Sequence, residues 1–489
     1  MTTLEKANIK YYEDLKEITN DVNVMKYIEK GEIWSDQYLK EHLKSSQDYW
    51  ESEDFKLKKD LFTWIIVKEG KGIGYLRWKK GSVTNQFKMR RFLHKNYQNK
   101  GIGTEAGKLS IQKLCKYYKE RYIYSETSYD NIISEKSLIK IGFYFLEKDD
   151  IKRRKVFRFD TYFGIFPLLK LFNKYTAKEL LEIIKRYKPE TIVDHKKIYE
   201  NRSIQKELSD MNESYFRKLN NEYVIYKFNY DKEGYLFDIT DLFSEKCRSK
   251  CKFKFLKLSP YDFLKTSRKH ITNILYKQKK EVNRENIRNV IYRINKPCTN
   301  FKVLFAMAIL NYFKPNSWLD LSAGWGDRLI SAIAYDIDQY VGIDPSSCMN
   351  EVYQNIINEL APSKKNNFKI IQKGSQEVKL DTKFDLVFTS PPFFDFEDYI
   401  SEETQSMQRF NSYDKWMKEF MFVSVKNAWE SLKKGKDLAL YIPYEYEGKE
   451  CFEAVNSYIL KELKGEFSGA MYFYWDGLNR VRNLYVWKK

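Results

Sequence analysis

From Ser317 to Pro443, strand-like apolar runs and helix-like amphipathic runs alternate: SWLDLS, DRLISAIAYDI, QYVGID, CMNEVYQNIINEL, FKIIQ, FDLVFTS, a helical stretch from Tyr413 to Leu432, and DLALYIP. Successive strands separated by helix-length crossovers pair in parallel, and their helices cover both sheet faces. The alternation therefore predicts an α/β class with a Rossmann-like, doubly wound sheet. The run FKVLFAMAILNYF just before it reads as a buried helix.

Two turns in this pattern carry chemistry. In Asp320-Leu-Ser322-Ala-Gly324-Trp-Gly326 a strand ends and a helix opens. Missing side chains there let a ligand approach the backbone, and the helix N-terminus faces it. The next strand, VGID, ends in Asp344, whose carboxylate can accept from both hydroxyls of a ribose. The run FDLVFTS stops at Ser390, because Pro391 and Pro392 have no N–H to extend a ladder. The stiff turn presents a hydroxyl, backbone carbonyls and the rings of Phe393 and Phe394. Such a corner suits a flat group that carries an amine. Phe393 reads as a stacking ring and Phe394 as core, while Asp395, Glu397 and Asp398 read as a solvated acidic loop that repels phosphate.

Taken jointly, these motifs resemble the S-adenosylmethionine-dependent amino-methyltransferases of nucleic-acid bases, over 296–489. DLSAGWG looks like their cofactor motif, which implies cofactor contacts from Asp320, Ser322, Gly324, Gly326 and Asp344. Asn300-Phe301-Lys302 resembles the cofactor-contacting motif that precedes the sheet in one circular order of the family, and this adds Phe301. Ser390-Pro391-Pro392-Phe393 looks like the catalytic motif, in the Ser form similar to the cytosine-modifying branch; cytosine and adenine both stay open. An exocyclic base amine is a poor nucleophile, because its lone pair is delocalised into the ring. Acceptors at Ser390 and Pro391 would let the nitrogen pyramidalise and would stabilise the charge it develops. Phe393 would stack on an everted base, and Pro392 would stiffen the corner. A protein amide or a small-molecule amine fits the same chemistry.

The N-terminal segment, 1–160, opens with strand-like runs around a hairpin, FTWIIVKEGKGIGYLRWKK, turning at Gly70-Lys71-Gly72, followed by the strand QFKMRRFLH. In YQNKGIGTEAGKLSIQKLCKYYKE a glycine turn starts a helix whose buried face is Ile102, Ala106, Leu109, Leu114 and Tyr118. The strand YIYSETS and the short helix NIISEKSLIKIGF follow. This order resembles the GNAT acetyltransferases, an α+β fold. The resemblance implies that Gln98, Lys100, Gly101, Gly103 and Thr104 cradle the pyrophosphate of acetyl-CoA and that Asn131 touches its pantetheine arm. Leu138 stands where many members carry a Tyr general acid. The strand QFKMRRFLH holds no carboxylate, so Glu126 is the candidate base.

Between them lies a basic mixed segment, 161–295. A capping box at Thr176 and Glu179 starts the helix LLEIIKRY, with Pro189 after its end. From Lys246 to Lys296 there are 16 Lys or Arg against three acidic residues, Asp262, Glu281 and Glu285, in a chain of net charge +19. Basic charge interleaved with Phe and Tyr suits a phosphate backbone and equally a plain solvated face; joined to the methyltransferase resemblance it makes a nucleic acid the expected partner, DNA ahead of RNA. Six cysteines among 489 residues make no disulfide scaffold, Cys247 and Cys251 read as structurally ordinary, and no metal site is expected. No apolar signal core or membrane-length run occurs, which predicts an intracellular protein, cytoplasmic or associated with the nucleoid.

Overall fold

The computed structural model describes residues 2–28, 31–58, 60–80, 87–115, 117, 122–150, 153–164, 168, 174–191, 217–399, 402–476 and 480–489. Tyr118, expected on a helix face, and 192–216 of the basic segment lie outside the described residues. Contacts divide the chain into two units, Met1–Ile165 and Phe166–Lys489.

The first unit is a seven-stranded sheet in the order β1-β2-β3-β4-β5-β7-β6. Its strands are β1 (Thr2–Lys6), β2 (Leu61–Lys68), β3 (Lys71–Lys80), β4 (Phe87–Leu93), β5 (Tyr122–Ser128), β6 (Tyr144–Asp149) and β7 (Arg154–Asp160). The β2–β3 hairpin forms as expected, but it turns at Glu69-Gly70, with φ of 53° and 80°. Two consecutive positive φ values make the tight turn whose twist matches the strands. Every neighbouring pair is antiparallel except β4 and β5, which run parallel and pair only at Lys88 and Tyr124. Beyond that point the two strands no longer bond to each other. The helix Ile102–Leu114 follows β4, and the helix Ile132–Ile141 follows β5 and stops at Gly142, φ 115°.

The second unit is built on nine strands in the order β13-β12-β11-β14-β16-β18-β17-β9-β8. These are β8 (Glu190–Thr191), β9 (Val224–Asn229), β11 (Ser317–Asp320), β12 (Gln339–Ile343), β13 (Phe368–Ile371), β14 (Phe384–Thr389), β16 (Leu432–Leu440), β17 (Glu466–Asp476) and β18 (Arg480–Lys488); β10 (Lys252–Phe253) and β15 (Glu397–Asp398) form a separate pair. From β13 to β16 all pairing is parallel. The chain leaves β11 for β12 on one side while β14 lies on the other, which makes the C-terminal end of β11 the switch point of the sheet. Alternate residues feed opposite cores: Trp318, Tyr340, Leu386 and Phe388 point to one, Leu319, Val341, Val387 and Leu440 to the other.

Where the sequence suggests a separate 161–295 segment, the structure leaves 161–164 in the first unit and folds the described residues from Leu168 on into the second. β9 pairs in parallel with β17, and the capped helix Ala177–Arg186 buries Leu180, Leu181 and Ile184 in the first of those cores. The basic stretch becomes three helices, Pro260–Thr266, Arg268–Lys277 and Arg284–Ile294. Its charge is partly internal. Arg248 donates to Asp241 at 2.9 and 2.5 Å, and Arg288 donates to Glu245 at 2.6 Å and Asp241 at 2.7 Å, locking two helices together.

Two further expectations are corrected. Cys247 is bonded to Cys348, 101 residues away with Cα atoms 6.0 Å apart, and so ties the helix Asp238–Arg248 to the helix Ser347–Leu360. The acidic stretch after Phe394 is not a solvated loop. Its Glu397-Asp398 pairs with Lys252-Phe253, Asp395 is bonded to Lys254, and Glu397 is buried with Thr299 N–H donating to it at 2.6 Å. Among the described residues no helix is long and apolar enough to cross a membrane, and no group of three or more His, Cys, Asp or Glu could hold a metal.

Candidate active site

The switch point opens into a cavity of about 1100 Å³. Phe301, Ser322, Gly324 and Asp344 line it, and so do Ser390, Pro391, Pro392 and Phe393. The two motifs that the sequence keeps sixty-odd residues apart therefore share one wall. Asp320 and Gly326 stand behind that wall rather than in it.

Asp320 is fully buried and fully bonded. One carboxylate oxygen accepts from Thr389 Oγ1 at 2.8 Å and from Ser322 N–H at 3.2 Å. The other accepts from Arg328 Nε at 2.8 Å and Tyr340 Oη at 2.9 Å. Because Thr389 precedes Ser390, this carboxylate couples the glycine turn directly to the Ser-Pro-Pro corner. Gly326 has φ 97°, a left-handed conformation that side chains rarely adopt, and a Cβ there would also press on Ile356 Cδ1 at 2.6 Å.

Gly324, φ 63°, donates its N–H to Asp344 at 2.8 Å, and Ser346 N–H donates to the other oxygen at 2.9 Å. Burial pushes the Asp344 carboxyl up to about 6, against the pull of those two bonds. Phe301 meets Phe388 and Tyr441 edge-on, at 5.4 and 5.2 Å between centroids, and the Arg328 guanidinium lies 5.3 Å from its ring. Lys302 lies among the aromatic rings of Phe237 and Trp475, 5.0 and 5.6 Å from its amine, and donates to Asn300 Oδ1 at 3.0 Å. Burial lowers its pKa.

Ser390 is half-buried at the cavity wall. Phe393 stacks loosely on Tyr441, 6.4 Å between centroids at 27°. Phe394 turns the other way, with φ 34°, and packs against Tyr413, Trp416 and Tyr446, as expected of a core residue.

In the first unit the helix Ile102–Leu114 starts from Gly101, φ 79°, so the N–H groups of its first turn have no intrahelical partner. Gln98 does not face that turn alone, since its amide donates to the Leu93 carbonyl at 2.9 Å. Thr104 shares a hydrogen bond with Ser137 at 3.0 Å, and Arg91 from β4 donates to both the Gly103 carbonyl and Ser137 Oγ, the latter at 2.8 Å. Lys100 is exposed beside the turn. Asn131 caps the helix Ile132–Ile141, with its side-chain oxygen accepting from Ser134 N–H at 3.0 Å. Leu138 is core. For Glu126, burial raises the carboxyl, but its bonds to Lys88 and Arg154 outweigh burial and hold it below the usual carboxylate range. That makes it a weak base.

Residues 2–144 match the acetyltransferase (GNAT) domain family, and residues 297–451 match the family described as conserved hypothetical protein 95, a methyltransferase family. These matches support an acetyltransferase domain in the N-terminal part of the chain and a methyltransferase-family domain in the C-terminal part. No curated protein matches this chain. Among solved structures, a GNAT-family acetyltransferase from Bacillus anthracis is 19% identical, covering 33% of this chain and 95% of its own, with a TM-score of 0.27. The microcin C7 self-immunity acetyltransferase MccE, solved with acetyl-CoA and AMP, is 19% identical over 32% of this chain and 92% of its own, with a TM-score of 0.28. A domain from Methanocaldococcus jannaschii is 15% identical over 33% and 98%, with a TM-score of 0.26.

In the second unit, three cavity features escaped the sequence analysis, Arg328, Tyr441 and the turn Gly374-Ser375-Gln376 after β13, while Lys302 was quoted only as part of a motif and given no role of its own. Arg328 had a signal, since it is a cation at the start of the helix that the glycine turn opens. In the GNAT domain Arg91 was hidden in a strand read only for its lack of carboxylates.

Proposed function

We propose that the methyltransferase domain moves a methyl group from S-adenosylmethionine to an exocyclic amine of a nucleic-acid base, cytosine or adenine in DNA, and that the GNAT domain acetylates an amine using acetyl-CoA. The observation that carries the first part is the single cavity shared by Ser390 and the Asp320 loop.

The residues present fit a nucleoside cofactor. Gly324 and Gly326 leave backbone where side chains would stand, and Asp344 offers a carboxylate at the strand end for a ribose diol. Lys302 lines the same cavity and is a donor for the carboxylate of the methionine moiety. When bound, S-adenosylmethionine supplies a methyl group on a sulfonium, activated for transfer. The chain's own work is on the amine. Ser390 Oγ and the Pro391 carbonyl accept its N–H bonds and favour the pyramidal nitrogen. Phe393, backed by Tyr441, offers the base a stacking face worth ~1–3 kcal/mol. That is comparable with the few kcal/mol needed to evert a base, so backbone contacts elsewhere must complete the binding energy.

Asp344 gives this reading a pH dependence. A carboxylate accepts from two hydroxyls better than a protonated acid does, and this carboxyl ionises only above about 6. S-adenosylmethionine affinity is therefore expected to hold from pH 8 to 7 and to fall as pH drops through about 6, measured by calorimetric titration. Folding has the opposite sign, because a raised folded-state pKa favours the folded chain below the unfolded value near 4 and withdraws that support as pH rises toward 6. Weaker binding at low pH is thus not explained by loss of fold at this group.

For the GNAT domain, Arg91 holds Gly103 and, through Ser137, Thr104, which places the helix start for a pyrophosphate. Replacing Arg91 with Met is expected to weaken acetyl-CoA binding by about tenfold, as the loss of a charge-assisted bond implies. An isothermal titration of the variant against the wild type reads this directly. The methyl-transfer half of the proposal is tested by incubating the full chain with methyl-labelled S-adenosylmethionine and DNA, RNA, free nucleotides or a glutamine-containing protein. Label in nucleic acid supports it, and label in protein amides alone overturns it.

A further inference from the structure

At the cavity mouth a phenyl ring stands in water where folding alone gives no reason for it. Phe255 is 71% exposed and Phe396 38%, yet both line the opening. They are built on rigid structure. Phe253 is buried, stacks on Phe255 at 5.3 Å and 16°, and meets Phe396 edge-on at 5.3 Å. The pair β10 and β15 fixes Phe253 against Glu397, and Lys254 N–H donates to the Phe396 carbonyl at 3.2 Å. The same β15 follows the Ser-Pro-Pro-Phe corner, so the exposed rings are tied to the catalytic wall.

Cations without a carboxylate partner stand near this step, alongside Glu402 and Glu445 in the cavity lining. Lys254 is taken by Asp395, but among the described residues Lys250, Lys257 and Lys296 have no acidic partner, and all three are exposed. An apolar step with unpaired cations two and five residues from Phe255 in the chain, Lys257 and Lys250, and a third, Lys296, in the lining of the same cavity, disfavours a second copy of this chain. An isologous contact would set those lysines against their own counterparts. It favours a polyanion with flat apolar faces.

We propose that Phe255, with Phe396 at its side, is a stacking step for the nucleotide beside the one that enters the cavity, and that Lys250, Lys257 and Lys296 hold the flanking phosphates. The inference rests on the nucleic-acid reading of the cavity and adds to it a second base contact outside the pocket. Stacking on an exposed ring is indifferent to base identity, so this contact adds affinity and position rather than sequence choice.

The test uses the full chain and short fluorescent single-stranded DNA and RNA oligonucleotides, with binding read by anisotropy over a range of salt. Phe255→Ala is expected to weaken binding roughly tenfold to a hundredfold, with the salt slope unchanged, and Phe255→Trp to restore it. Lys257→Gln and Lys296→Gln are each expected to lower the log–log salt slope by about 0.7. Calorimetry with S-adenosylmethionine shows whether each variant is folded. If the wild type binds and methylates an oligonucleotide while Phe255→Ala binds it as tightly, the stacking step alone is overturned. If the wild type binds S-adenosylmethionine but neither oligonucleotide at low salt, the nucleic-acid reading falls, and the step falls with it.

Discussion

Replacing Ser390 with Ala is expected to lower kcat for methyl transfer by about a hundredfold or more, with a much smaller change in KM for the nucleic acid. One preorganised hydrogen-bonding group aimed at developing charge is worth about 10²–10³ in rate. The amine gains positive charge only as its lone pair leaves the ring, so Ser390 Oγ acts mainly in the transition state, and such a contact appears in kcat rather than KM. Steady-state kinetics with labelled S-adenosylmethionine would show the split. An Ala variant with wild-type kcat would remove Ser390 from the chemistry. Ser390 is half-buried beside a fixed turn, and an S-adenosylmethionine titration of the variant shows whether the fold is kept.

The second large effect is on stability. Arg328 and Asp320 form a buried ion pair, with side chains 4% and 0% exposed. Arg328→Met would leave a carboxylate without its cation at the junction of β11, β12 and β14. Removing one partner of such a pair costs about 3–5 kcal/mol, because the remaining charge stays desolvated. Urea unfolding of the variant is expected to show a loss of that size together with weaker S-adenosylmethionine binding, since the same residue donates to the Ser322 carbonyl in the cofactor turn. A double variant, Asp320→Asn with Arg328→Met, should recover part of the loss, because no lone charge remains. Recovery in the double variant would separate the electrostatic cause from lost packing beneath Phe301.

The parallel core of the second unit was legible because crossover helices leave a simple alternation in the sequence. Ser390 and Asp344 could be placed at strand ends for the same reason: a proline pair and a terminal Asp mark where a ladder stops. What the sequence hid were contacts between distant segments. β9 joins β17 in parallel across more than two hundred residues, and GAMYFYWD and VRNLYVWKK form a hairpin whose aromatic runs bury both faces and lack the usual alternation. Cys247 has a near neighbour in Cys251, but its partner is Cys348, and no spacing rule points there. The acidic residues after Phe394 looked solvated because their partners, Lys252, Phe253 and Lys254, sit in another segment. Asn131 was read for a ligand contact, while its Asx position three residues before Ser134 also specifies a helix cap. The basic stretch looked like a uniform binding face, yet Arg248 and Arg288 are consumed in holding its helices to the sheet.

The most direct measurement is nucleoside mass spectrometry of DNA and RNA incubated with the full chain and methyl-labelled S-adenosylmethionine, with the Ser390→Ala variant run alongside. The expected result is a labelled methyl on an exocyclic base nitrogen, cytosine or adenine, that is almost lost in the variant. A labelled methyl on a ring carbon, on a ribose hydroxyl, or on no nucleoside at all would contradict an amine-directing corner at Ser390.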